Sequence, residues 1–236
     1  MQSVFVVSDL HMFCRRSDWE EHVALIHEAA EEADLFVFNG DTVDFKWSVL
    51  PSLEATIDSA IDFLRDFCTR HPQCKVHVNL GNHDHIQDFI ARLETLNEEI
   101  ENFTWHPYFL RVGKALFLHG DVANWKMSHQ QLEQYRGRWE RRHRVQSDFK
   151  NRVYDAAFQA GAHIAVSRMA FTPKRTVKRV AAYMDDIGHG IDSGVERVYF
   201  GHTHVPVHGY AYGGMTFHNG GAPMRGIQFR LIKAHI

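Results

Sequence analysis

The sequence predicts a single α/β domain spanning residues 1–236 and carrying a helical insertion over residues 122–192. Three observations carry that reading. In the first hundred residues, short apolar runs alternate with segments of helical periodicity, the pattern of parallel β-α-β units. Beyond them, apolar runs stand only a few residues apart, as in hairpins. Between about residues 122 and 192 helical spacing continues and no strand pattern appears. With 44% hydrophobic residues, the chain can bury one sizeable core.

Taken in order, a strand is expected over residues 4–8. Ser17 and Glu20 have capping-box spacing and open a helix over about 18–33. A buried strand over 35–38 closes at Asn39-Gly40, and a helix over about 53–70 turns Ile57, Ile61 and Leu64 to one face. A strand over 75–80 and a helix over about 86–101 follow. Strands over 108–112 and 115–118 flank a Gly113-Lys114 turn. Inside the insertion, Ser128 with Gln131 forms a second capping box, and Thr172-Pro173 supplies an N-cap and first helical residue. A strand over 197–200, a hairpin about Gly213-Gly214 and a last strand over 227–232 complete the chain.

The net charge of −3 indicates no polyanionic partner. No basic-then-apolar leader and no run of membrane-spanning length is present, so a cytoplasmic location is expected. Cys14, Cys68 and Cys74 show no paired spacing, which argues against a disulfide framework or a thiolate zinc site. Eighteen histidines direct attention to metal ligands instead.

The strand ends repeat one event: an apolar run stops and Asp, Asn or His follows. It occurs at Asp9-Leu10-His11, Gly40-Asp41, Gly81-Asn82-His83-Asp84, His119-Gly120-Asp121 and Gly201-His202-Thr203-His204. Any one of these reads equally well as a polar turn. Together they form a mixed oxygen and nitrogen donor set at the edge where open α/β sheets bind ligands. Asp9, His11, Asp41, Asn82, His119, His202 and His204 exceed what one ion with open positions can use. They suit two ions about 3.5–4 Å apart that share a carboxylate, a geometry used in phosphate-ester hydrolysis.

In order and residue type, the series Asp9-x-His11, Gly40-Asp41-x-x-Asp44, Gly81-Asn82-His83-Asp84, His119 and Gly201-His202-x-His204 resembles the calcineurin-like metallophosphoesterase family. The resemblance implies a β-sandwich of two mixed sheets flanked by helices, with a dinuclear site at its edge. It implies that Asp9, His11 and His204 hold one ion, that Asn82, His119 and His202 hold the other, and that Asp41 serves both. The expected chemistry is attack by a metal-bridging hydroxide on phosphorus. His83 is the candidate general acid and Asp44 its orienting carboxylate. Asp84 is expected to support or cap. Mixed donors of this kind suit manganese foremost, with iron, zinc or cobalt as alternatives.

The substrate is expected to be an anionic phosphate ester: a phosphodiester, pyrophosphate or phosphomonoester. Residues 126–180 hold thirteen basic and four acidic side chains, so this segment carries +9 and the remainder −12. Arg141 and Arg142 are the candidate substrate contacts. The His119-Gly120-Asp121 motif and the insertion after it resemble the UDP-2,3-diacylglucosamine pyrophosphohydrolases, although His83 stands where those enzymes usually carry Arg. That likeness implies a nucleotide-sugar lipid and peripheral membrane contact. A nuclease is the alternative, disfavoured by the absence of a basic-aromatic weave. A non-catalytic scaffold is the third, disfavoured because it needs no complete ligand set.

Overall fold

Apolar runs flanked by helices on one side need a second apolar surface on the other, and here each of two sheets supplies it to its partner. The computed structural model describes residues 2–141, Ser167 and residues 169–236. In the first sheet β1 (Val4–Val7), β2 (Leu35–Asn39), β3 (Lys75–Asn79) and β4 (Phe103–His106) are parallel, while β10 (Ile232–Ala234) runs antiparallel beside β1. The second sheet contains β5 (Phe109–Val112), β6 (Ala115–Leu118), β7 (Arg197–Tyr199), β8 (Val207–Tyr212) and β9 (Met215–Asn219) in the order β5-β6-β7-β9-β8. Both sheets are mixed, as expected from the sequence.

Val4, Val6, Leu35, Val37, Phe117 and Tyr199 fill the space between the sheets. Helices α1 (Val23–Glu31), α2 (Leu53–Arg70) and α3 (Gln87–Glu99) pack on the outer face of the first sheet through Ile26, Ile61, Phe67 and Leu93. Leu132 of α4 (His129–Arg141) and Val177, Val180 and Met184 of α5 (Pro173–Asp186) cover the second.

Register decides where the motifs emerge. Val7 lies opposite Phe38 and Phe38 opposite Val78, so β1, β2 and β3 end level and deliver their loops to one edge. Beneath that edge, Asn39 Nδ2 donates to the Leu118 and Tyr199 carbonyls at 2.9 and 3.1 Å. Asn79 Nδ2 donates to Asn39 Oδ1 at 2.7 Å and to the Phe117 carbonyl at 3.1 Å. These buried amides lock the two sheets together directly below the motif loops.

Three expectations need correction. Ser17 does not cap a helix: its hydroxyl donates to the Leu10 carbonyl, and a 3-10 turn over Trp19–His22 precedes α1. The short strand β4 was not expected, because Phe-Thr-Trp-His is too brief to show a period. The last strand begins only at Ile232. Residues 227–231 instead run against Gly220 and Gly221, where Arg230 N donates to the Gly220 carbonyl at 2.9 Å and Gly221 bridges Phe229. The Ser128 capping box does form, with Ser128 N donating to Gln131 Oε1 at 2.9 Å. Arg142, and with it the middle of the insertion, lies outside the described residues, as does the side chain of Arg141.

Candidate metal centre

The donor loops hold an uncommon backbone. Asp9, His11, Asp41, His202 and His204 have φ of 55, 46, 49, 66 and 54°, a left-handed region that non-glycine residues rarely occupy. Hydrogen bonds impose it. Asp9 N donates to the Gly40 carbonyl at 3.0 Å and His11 N to the Asp41 carbonyl at 2.9 Å, zipping the first loop to the second. The Asp9 carboxylate accepts from His202 N at 2.8 and 3.0 Å, and Asp41 Oδ1 accepts from His83 N at 2.8 Å. Gly81 is required because a Cβ there would stand 2.2 Å from Asp41 Oδ1.

The side chains then converge. Asp9, His11 and His204 bring possible ligand atoms within 4.8 Å of one another, and so do Asp41, His119 and His202. His11 Nε2 lies 3.1 Å from His204 Nε2, and His204 Nε2 lies 3.5 Å from Asp9 Oδ1. Asp41 Oδ2 is 3.2 Å from His119 Nε2 and 3.9 Å from His11 Nε2, so it faces both groups. Asn82 lines the adjoining cavity, and its buried Oδ1 has no hydrogen-bond partner. A buried amide oxygen left open beside converging imidazoles and carboxylates fits a divalent cation. All seven donors expected from the sequence are therefore brought to one place. A further group within the same limit joins His11, Asp41 and His83.

His83 and Asp44 meet at the flank of this cluster, with His83 Nδ1 3.0 Å from Asp44 Oδ1. Burial disfavours the imidazolium, but the Asp44 and Asp41 charges outweigh it and bring His83 up to about 9. Asp44 is buried, yet His83 and His11 hold it below the usual carboxylate range. Burial likewise opposes charge on His119, and Asp41 overcomes it, raising that group to about 9. His202 is pushed down to about 4, by burial and then by the neighbouring His119. Asp84 stands behind the loops: Oδ2 accepts from Thr42 N at 2.8 Å and Oδ1 from Gly81 N at 2.6 Å. Burial and the Asp41 charge raise it to about 6.

A cavity of about 300 Å³ opens against the donors. Helix α4 forms one wall with Tyr135 and Trp139, and Arg16, Trp47 and Phe171 contribute others. The Trp139 ring lies 4.9 Å from that of His83, and the Arg16 guanidinium 4.7 Å from the Trp47 ring. Sequence reasoning did not find Asn124, whose Oδ1 lies 3.0 Å from His202 Nε2 and whose Nδ2 donates to the Tyr135 hydroxyl at 3.1 Å. It counted Arg136 within the basic segment facing substrate. The structure turns Arg136 inward: Nε and Nη2 donate to Asp121 at 2.8 and 3.1 Å, and Nη1 donates to the Pro107 carbonyl. This pair fastens α4 to the loop carrying His119, and Trp139 follows one turn later on the same helix.

A two-sheet sandwich with carboxylate, amide and imidazole donors converging at one edge defines a protein built to hold divalent metal. The family model for calcineurin-like phosphoesterases matches residues 3–206, and the chain belongs to that family. Among solved structures, a dimetal phosphatase from Danio rerio is similar over 94% of this chain and 88% of that one, at 11% identity and a TM-score of 0.48. No curated protein matches. No helix among the described residues is long and apolar enough to cross a membrane.

Proposed function

We propose that the chain hydrolyses a phosphodiester, pyrophosphate or phosphomonoester with two divalent ions, Asp9, His11 and His204 holding one, Asn82, His119 and His202 the other, and Asp41 both. The observation that carries this reading is the position of Asp41 between two donor groups, with the open Asn82 oxygen beside one of them. When bound, such ions supply an ionised water at neutral pH and offset charge on the phosphoryl oxygens. His83 donates its proton to the departing oxygen, held in place by the Asp44 carboxylate 3.0 Å from Nδ1. Asp44 also lies 3.4 Å from His11 Nδ1, and this contact orients the second imidazole. Trp139 stands beside His83 in the cavity wall, its ring 4.9 Å away, and gives the departing group an aromatic surface.

Manganese is the first metal to supply, followed by iron, zinc and cobalt. The basic insertion, including Arg141 and Arg142, favours an anionic substrate. Trp139 and Phe171 in the cavity wall support one with an apolar portion, which keeps a nucleotide-sugar lipid and contact with a membrane surface within this reading. The test is turnover of bis-aryl phosphodiester, aryl phosphomonoester and nucleotide-sugar pyrophosphate substrates with added Mn²⁺, alongside metal analysis. Two ions per chain and metal-dependent turnover of at least one ester are expected. Stoichiometric metal without turnover of any of them would point to a scaffold instead.

A further inference from the structure

The cavity beside the donors is the first of three neighbouring cavities that share wall residues. It shares Ser167 and His204 with a second of about 300 Å³, walled by Val205, Pro206 and Ile227. The second shares Pro206 and Gln228 with a third of about 420 Å³, which runs past His208, Arg230 and Lys233. The result is a trench leading from the donor cluster along the rim of the sandwich. Its floor is fixed by close backbone contact: a Cβ on Gly220 would stand 2.4 Å from the Arg230 carbonyl oxygen, and one on Gly221 1.9 Å from that of Gln228. Asn219 Oδ1 accepts from Gly221 N at 2.8 Å and holds the turn from below.

The second cavity sets Val205, Pro206 and Ile227 beside the polar Ser167 and Gln228. The third adds two cations, Arg230 and Lys233, to a largely aliphatic wall. Neither cation pairs with a carboxylate among the described residues. Arg230 Nε and Nη2 lie 3.0 and 2.8 Å from the Gln228 side-chain oxygen, with that amide turned to accept, and Lys233 Nζ stands 5.2 Å from the Phe5 ring. His83 walls only the first cavity whereas His204 walls both the first and the second, so the path toward Arg230 leaves the cluster on the side away from the proposed acid, the side of the retained group.

We propose that the trench receives the retained part of an elongated phosphate ester, and that this part carries a second phosphate seated at Arg230 and Lys233. The inference rests on the phosphoesterase reading above and narrows its substrate class. A middle section of mixed aliphatic and polar groups suits a sugar or base spacer, while a guanidinium and an ammonium at the end suit a phosphate dianion or diester.

The test uses the full chain with Mn²⁺ and p-nitrophenyl esters of thymidine 5′-phosphate. The ester is then extended by one and two thymidylate units ending in a 3′-phosphate. Release of p-nitrophenol reports every reaction with the same leaving group. KM should fall roughly tenfold at the length that reaches Arg230, with kcat little changed. The gain should shrink with added salt. Combined Arg230→Ala and Lys233→Ala should remove it while leaving the unextended ester untouched. KM that is independent of length, or a gain that survives in the double variant, would overturn the trench assignment and spare the phosphoesterase reading. No release from any ester by the parent chain overturns that reading itself.

Discussion

Asp41 and Arg136 are both buried charges near the same cavity, with exposures of 2% and 0%. Asp41 divides its carboxylate between the backbone of His83 and imidazoles from two different strand ends. Arg136 spends its guanidinium on one carboxylate and one carbonyl. A charge whose partners pull in several directions, and are themselves potential ligands, is arranged to take up a cation. A charge saturated by one bidentate partner is a fastening. The cluster and its α4 wall therefore use buried charge for different ends, and separate substitutions can tell them apart.

The largest effect is expected for Asp41→Asn, which weakens the ligand proposed to serve both ions. Turnover should fall by roughly 10⁴-fold, the scale set by losing metal-based charge stabilisation. Metal content should drop below two per chain. Normal turnover with two ions retained would end the case for a shared carboxylate. His83→Ala comes next: both ions stay, and rates on esters with poor leaving groups fall about 10²–10⁴-fold. The loss should be smaller for activated aryl esters, and equal loss across leaving groups would exclude an acid role.

Arg136→Ala tests the fastening. Stranding Asp121 in the interior should cost about 3–5 kcal/mol in urea-induced unfolding, with metal content unchanged under native conditions. Metal loss without destabilisation would move Arg136 from the wall to the cluster.

A pH experiment probes the sheet on which the cluster rests. His77 Nδ1 and His106 Nε2 lie 2.9 Å apart on β3 and β4. Burial first, and His106 second, push His77 down to about 4, and burial lowers His106 as well. The unfolded chain takes up protons at these sites as pH falls below about 6.5, while folded His77 resists until about 4. Their contribution is therefore complete above that upper value and is lost as pH drops through the window. The urea midpoint should fall between pH 7 and pH 5, and less so in His77→Phe. An identical drop in that variant would assign acid sensitivity elsewhere. The smallest effect is expected for Arg141→Ala with Arg142→Ala: KM for an anionic substrate rises up to about tenfold while metal content and a minimal aryl phosphate are unaffected.

The donor cluster was legible because position and chemistry coincide in it. A strand end fixes where Asp41 or His202 must emerge, and the residue type says what it can bind. Asn39 is read from the sequence only as the polar closure of an apolar run, and Asn79 only as an interior residue of the strand over 75–80. Their register on neighbouring strands, which pairs them directly, was the clue to the lock between the sheets. Arg136 was misplaced because a charge total does not say which face a helix turns inward. Leu132, Tyr135, Arg136 and Trp139 recur at helical spacing, so the guanidinium belonged to the apolar stripe all along. Asn124 ends a 3-10 turn over Asp121–Ala123 that has no periodic signature, and nothing short of the folded chain brings it to His202.

The left-handed backbone at Asp9, His11, Asp41, His202 and His204 has a consequence for how such a chain would decay. Each of these residues resists the conformation it occupies by about 1 kcal/mol, a cost that glycine avoids. Once selection on catalysis stops, glycine at positions 11 and 204 becomes an improvement in stability, whereas Asp9 and Asp41 still accept from His202 N and His83 N and stay tied to the loops, and core residues such as Leu10 remain under the old constraint. A descendant that keeps Leu10, Phe38, Asp9 and Asp41 but shows glycine at positions 11 and 204 would thus record lost chemistry within an intact fold, readable from its sequence before any assay.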